Sequence, residues 1–144
     1  MPIVEADTKA LIVKDGKIII LKDHTVKGKV IIDIPGGRMH YGLTPEENLK
    51  REVKEELSID VEVKDVIGVW YFFQLQTHNN QVICITYLCK PLSDVIDLGN
   101  NPDPEEKIGE YLSVTPEEFM QLKGDTPESL ERLKKVVKKH FNLK

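Results

Sequence analysis

Apolar and polar positions along this chain predict strands, then an amphipathic helix, then strands again, with helices at the end. Residues 8–13 and 17–22 are β-branched runs flanking Asp15-Gly16, a tight-hairpin dipeptide, and predict two antiparallel strands. Residues 23–29 read as a loop, and 30–34 as a short strand feeding a Pro35-Gly36-Gly37 turn. A strand-like run covers 60–69 and continues through Trp70-Tyr71-Phe72-Phe73 to 76, and a turn at 78–80 leads to a partner strand over 82–88. Residues 92–107, rich in Asn, Asp, Pro and Glu, read as a long loop before a last strand ending at Val114. Thr115 and Thr126 each precede Pro-Glu and open further helices. The second runs to about His140, with Leu130, Leu133, Val136, Val137 and Phe141 inward and Lys134, Lys135, Lys138 and Lys139 complementing its C-terminal end. A mixed sheet flanked by helices, an α/β sandwich, follows from this order.

The helix between the two sets of strands is the most informative stretch. Thr44 is placed to cap it, Pro45 suits its first position, and Glu47 completes a capping box. Leu49, Val53 and Leu57 form one apolar stripe. At about 100° per residue, Glu56 and Glu52 border that stripe and Glu55 lies further round. Neighbouring carboxylates repel, and a multivalent cation removes the cost; hard oxygen ligands suit Mg²⁺ or Mn²⁺. Lys50 and Lys54 would equally suit a solvated Glu/Lys face, and the glycine-rich loop just ahead is what tells against that.

From Gly37 to Ile59 the chain resembles the Nudix box. Gly37 opens the motif, Arg51-Glu52-Val53 and Glu55-Glu56 hold their places, and Ile59 closes it. Leu43 stands where the pattern has its first Glu, and Ser58 where it has Gly. The first departure removes a supporting carboxylate. The second is expected to change how the helix terminates, without touching the chemistry. The resemblance implies a single domain over residues 1–144 with a Nudix-type α/β/α sandwich. It further implies Mg²⁺- or Mn²⁺-dependent hydrolysis of the pyrophosphate bond in a nucleoside diphosphate linked to another moiety, such as a nucleoside triphosphate or ADP-ribose.

By the same resemblance Glu52, Glu55, Glu56 and the Gly37 carbonyl are expected to ligate the metal, and Arg51 to orient a glutamate by bidentate hydrogen bonding. A loop acid completes the site, with Glu106 the first choice and Glu105 and Glu110 its rivals. The general base stays open among Glu52, Glu55 and the loop acids. Arg38 and Lys29 are candidate phosphate contacts or ordinary surface cations, and His40 is a lone loop histidine. The aromatic run 70–73 offers either a core or a nucleobase platform. The other readings are a nucleotide-binding module that does not cleave, which Leu43 favours, and an acidic helix that is surface alone.

Composition narrows the partners. With 40% hydrophobic and 31% charged residues the chain reads as globular, and a net charge of −4 argues against broad nucleic-acid binding through a basic face. A small-molecule nucleotide remains the expected partner, and the resemblance is compatible with a homodimer. No apolar run reaches about 18 residues and the N-terminus lacks a signal-peptide pattern, so no membrane is expected and the cytoplasm is the default. Cys84 and Cys89, five apart in one strand, point to opposite faces and are expected as reduced core residues.

Overall fold

Asp15 and Gly16 both take left-handed conformations, with φ of 52° and 76°, so the turn sets Lys14 against Lys17. This hairpin joins β1 (Ile3–Lys14) to β2 (Lys17–His24). The computed structural model describes residues 1–24, 28–74, 79–100 and 108–144. In chain order there follow β3 (Val30–Asp33), β4 (Gly36–Arg38), α1 (Pro45–Leu57), β5 (Val61–Gln74), β6 (Asn80–Pro91), β7 (Ile108–Val114), α2 (Pro116–Phe119) and α3 (Pro127–His140). The expected strands and helices are present, several of them longer than their apolar runs, while residues 75–76 of the 60–76 run, part of the turn at 78–80 and residues 101–107 of the long loop lie outside the described residues.

One expectation is corrected. Gly36 and Gly37 do not form a simple turn; with Arg38 they make β4, antiparallel to β1, with Thr8 opposite Gly37 and Lys9 opposite Gly36. Gly36 has φ 142°, and a Cβ there would lie 2.1 Å from the Thr8 carbonyl oxygen. Only glycine lets this backbone lie so close to β1, which a one-dimensional turn signal does not convey.

Strand β1 is the hub. It runs parallel to β6 from Ile3 to Ile12, pairs with β4 and, at its end, with β2, while β5 and β6 form an antiparallel hairpin. Strand β2 in turn pairs with β3 and β7. The two faces carry separate cores. Ala10, Ile12 and Cys89 pack with Leu49, Val53 and Leu57 of α1. Leu11, Trp70 and Cys84 pack with Phe119 of α2 and with Leu130, Leu133 and Val137 of α3. The two cysteines are thus free and on opposite faces, and burial pushes the Cys89 thiol up to about 12. Among the described residues no helix is long and apolar enough to cross a membrane.

Lys134, expected with Lys135, Lys138 and Lys139 only to complement the C-terminal end of α3, is drawn inward. It is 6% exposed, and its ammonium donates to the Leu122 carbonyl at 2.6 Å and to Glu131 at 3.3 Å. Its hydrogen bonds satisfy a charge that position on the helix brings inward.

Ser58 corrects a further expectation. Rather than ending α1 by another route, it adopts the left-handed conformation itself, with φ 61° and ψ 26°, and its hydroxyl donates to the Asp97 carbonyl at 2.8 Å. Ser58→Ala keeps the backbone strain and loses that bond, so it should cost about 1 kcal/mol. Ser58→Gly loses the bond but also the strain, and should stay within about 0.5 kcal/mol of wild type. Urea unfolding midpoints of the two variants check both values.

Candidate active site on helix α1

Helix α1 begins where its sequence says it should. The Thr44 hydroxyl accepts from the Glu47 amide at 3.1 Å, and the Glu47 carboxylate accepts from the Thr44 amide at 3.0 Å. That backbone hydrogen bond, with the hydroxyl's help, holds the Glu47 carboxyl below the usual glutamate range. Beyond the cap, two rows with a period of four run side by side. Leu49, Val53 and Leu57 are wholly buried, and beside them lie Asn48, Glu52 and Glu56 at 0, 7 and 3% exposure.

What this polar row meets is β4. The Gly36 amide donates to Glu56 Oε1 at 2.7 Å. A Cβ at Gly37 would fall 2.5 Å from Glu52 Oε2, so the missing side chain is the space that the Glu52 carboxylate occupies. Asn48 donates to the Thr8 hydroxyl at 2.9 Å and to the Gly37 carbonyl at 3.4 Å, and its own carbonyl oxygen accepts from the His40 amide at 3.1 Å. Asn48 thereby laces the helix to β1, to β4 and to the connecting loop.

Arg51 lies along the outer side of the acids. One terminal nitrogen donates to both oxygens of Glu55, at 3.1 and 3.2 Å, and the other to Glu52 at 2.8 Å and Asn48 at 3.0 Å. The structure therefore brings Gly37, Arg51, Glu52, Glu55 and Glu56 together. The donors fit a hard divalent cation in kind: two buried carboxylates and a backbone carbonyl around a cradle that a Cβ would fill. Among the described residues no three His, Cys, Asp or Glu side chains converge as a metal nest, and Glu55 is engaged with Arg51.

Other candidates fall elsewhere. Glu105 and Glu106 lie outside the described residues, as does part of the loop 23–29. Glu110 sits in β7, paired with Lys22 at 3.4 Å. Arg38 is tied to Glu5, to Asp7 at 2.8 Å and to Gln74 at 3.4 Å, while Lys29 and His40 are exposed. Trp70 and Phe72 belong to the core face; Tyr71 and Phe73 are exposed and meet edge-on at 5.7 Å, so a platform would rest on these two alone.

Sequence reasoning missed Asn48, the buried charges Asp7 and Lys9, and the half-buried Asp33. Asn48 carried a signal, since it stands four residues before Glu52 in the same row. Lys9 and Asp7 alternate with apolar neighbours in β1, a pattern that ordinarily marks a solvated face.

A family model described as the NUDIX domain matches residues 3–136. An ADP-ribose pyrophosphatase from Methanocaldococcus jannaschii is 30% identical over 96 residues, which cover 67% of this chain and 56% of that protein. The match thus spans little more than half of the curated relative's length. Among solved structures, a MutT protein from Methanosarcina mazei Go1 superposes with TM-score 0.74 at 23% identity, over 96% of this chain and 94% of the other. A UDP-X diphosphatase superposes with TM-score 0.70 at 23% identity, over 96% and 63%. At these identities the structural likeness carries the fold alone.

The two glycines should respond differently to alanine. In Gly36→Ala the new methyl meets backbone, and unfolding in urea should show a loss of roughly 1–3 kcal/mol or more. In Gly37→Ala it meets only the end of a side chain, so stability should change by less than about 1 kcal/mol while the Glu52 carboxylate is displaced in a crystal structure of the variant.

Proposed function

This chain belongs to the Nudix family, and on that premise we propose that it is a Mg²⁺- or Mn²⁺-dependent hydrolase of the pyrophosphate bond in a nucleoside diphosphate linked to another moiety. The observation that carries the reading is the pair Glu52 and Glu56, both nearly buried and seated against the backbone of Gly36 and Gly37. Keeping two carboxylates out of water costs several kcal/mol; Arg51 and the Gly36 amide offset part of it, and a cation bound between the acids would offset more.

In this proposal Glu52, Glu56 and the Gly37 carbonyl hold the cation, with Glu55 assisting. Bound there, the cation supplies charge neutralisation for phosphate oxygens and makes water a better nucleophile. Arg51 keeps Glu52 and Glu55 oriented through hydrogen bonds to both. Asn48 fixes the distance between the helix and Gly37. The base that takes the proton from the attacking water comes from Glu52, Glu55 or an acid of the 105–106 segment. Tyr71 and Phe73 are exposed on β5, with the Arg132 guanidinium of α3 4.1 Å over the Tyr71 ring, and are the aromatics that could stack on the substrate's base. The printed name of the archaeal relative puts ADP-ribose among the first substrates to try.

The test is product formation from a panel of nucleoside triphosphates, ADP-ribose, sugar nucleotides and dinucleoside polyphosphates, with each metal. Turnover should require the metal and fall about a hundredfold or more in Glu52→Gln and in Glu56→Gln, with both proteins shown to be folded. A chain that binds these nucleotides yet turns none over with either metal is a binding module instead.

A further inference from the structure

Lys9 is 5% exposed, an unusual place for a lysine, and the hydrolytic scheme leaves it without a role. Its ammonium lies 2.9 Å from Asp33 Oδ2 and 4.0 Å from Asp7 Oδ2. The other oxygen of Asp33 accepts from the Ile34 amide at 2.8 Å, and the Pro35 carbonyl accepts from the Ala10 amide at 2.7 Å. Lys9 pairs with Gly36 across the strands, and a Cβ at Gly36 would fall 3.0 Å from Lys9 Cδ. The next contact is the hydrogen bond from the Gly36 amide to Glu56. An unbroken path thus runs from the buried ammonium through residues 33–36 to a carboxylate of the site.

We propose that Lys9 is a positioning residue: its stem against Gly36 and its ion pair to Asp33 hold the segment 33–37 so that the Gly36 amide reaches Glu56, a role resting on the reading of Glu56 as a cation ligand. Packing alone does not account for a lysine here, because an apolar side chain would fill the volume without the desolvation cost. Burial by itself lowers the ammonium's pKa. Asp33 and Asp7, with Glu56 behind them, outweigh that and hold it well above the usual lysine value, so the charge persists.

Lys9→Met takes the close cation from Asp33, while Asp7 keeps Arg38, and is expected to lose stability. Lys9→Met/Asp33→Asn removes the ion pair as a unit, while the Asn oxygen can still accept from the Ile34 amide. Two readouts separate positioning from mere support: hydrogen-exchange protection of the Gly36 amide by NMR in the metal-free protein, and Mn²⁺ affinity by electron paramagnetic resonance. In the folded double variant the Gly36 amide should exchange faster and Mn²⁺ should bind about 10–100-fold more weakly, with kcat lowered more than KM is changed. Wild-type Gly36 protection in that folded variant overturns the proposal. Unweakened Mn²⁺ binding in Glu56→Gln overturns the acid-site reading instead, and the exchange measurement then still decides whether Lys9 holds the loop.

Discussion

Everything near the candidate site depends on seating a row of polar side chains from α1 against bare backbone in β4. The Gly36 amide and the empty Cβ position of Gly37 receive Glu56 and Glu52, and neither contact survives a larger side chain at the glycines. Burying such acids costs several kcal/mol each unless partners compensate. The helix meets part of that cost beside them, where Leu49, Val53 and Leu57 are fully buried and contribute about 1.5–3 kcal/mol each. The apolar row fixes the helix to the sheet; the polar row rides on that fixed position.

Strand β1 transmits the constraint to the rest of the molecule. Its Thr8 and Lys9 face Gly37 and Gly36 on one side and Ile85 and Thr86 of β6 on the other. Any shift of β1 relative to β4 would therefore move both the glycine backbone and the parallel pairing that holds the sheet together. The side chains of β1 alternate across the sheet, so Ala10 and Ile12 serve the α1 face and Leu11 serves the α3 face.

Local signals made most of this legible in the sequence. The Asp15-Gly16 turn, the Thr44–Glu47 box and the four-residue spacing of Leu49, Val53 and Leu57 each specify their own geometry within a few residues, and each appears as expected. The acids could be placed relative to the stripe because helical angles are fixed by residue number alone. What was not legible depends on partners distant in the chain. Gly36 and Gly37 read as a turn because nothing local announces that β1 lies alongside. Nothing local marked Lys9 as a buried ion-pair partner, because Asp33 is 24 positions away. Lys134 read as a partner of the helix dipole alone for the same reason, its acceptor being the Leu122 carbonyl beyond the helix.

The departure at Leu43 does not reach the buried acids. Glu52 and Glu56 take their places from Gly36, Gly37 and Arg51, none of which requires a carboxylate at position 43. The Arg51 terminal nitrogens are engaged by Asn48, Glu52 and Glu55, but its Nε is buried without a partner among the described residues. A buried N–H left unmatched costs about 1–3 kcal/mol. The family pattern sets an acid at 43, in the loop just before this helix, where the present chain has a half-buried leucine. Asn48, by accepting from Arg51 and donating to Gly37 and Thr8 at once, keeps the arginine registered to the glycine backbone without that acid.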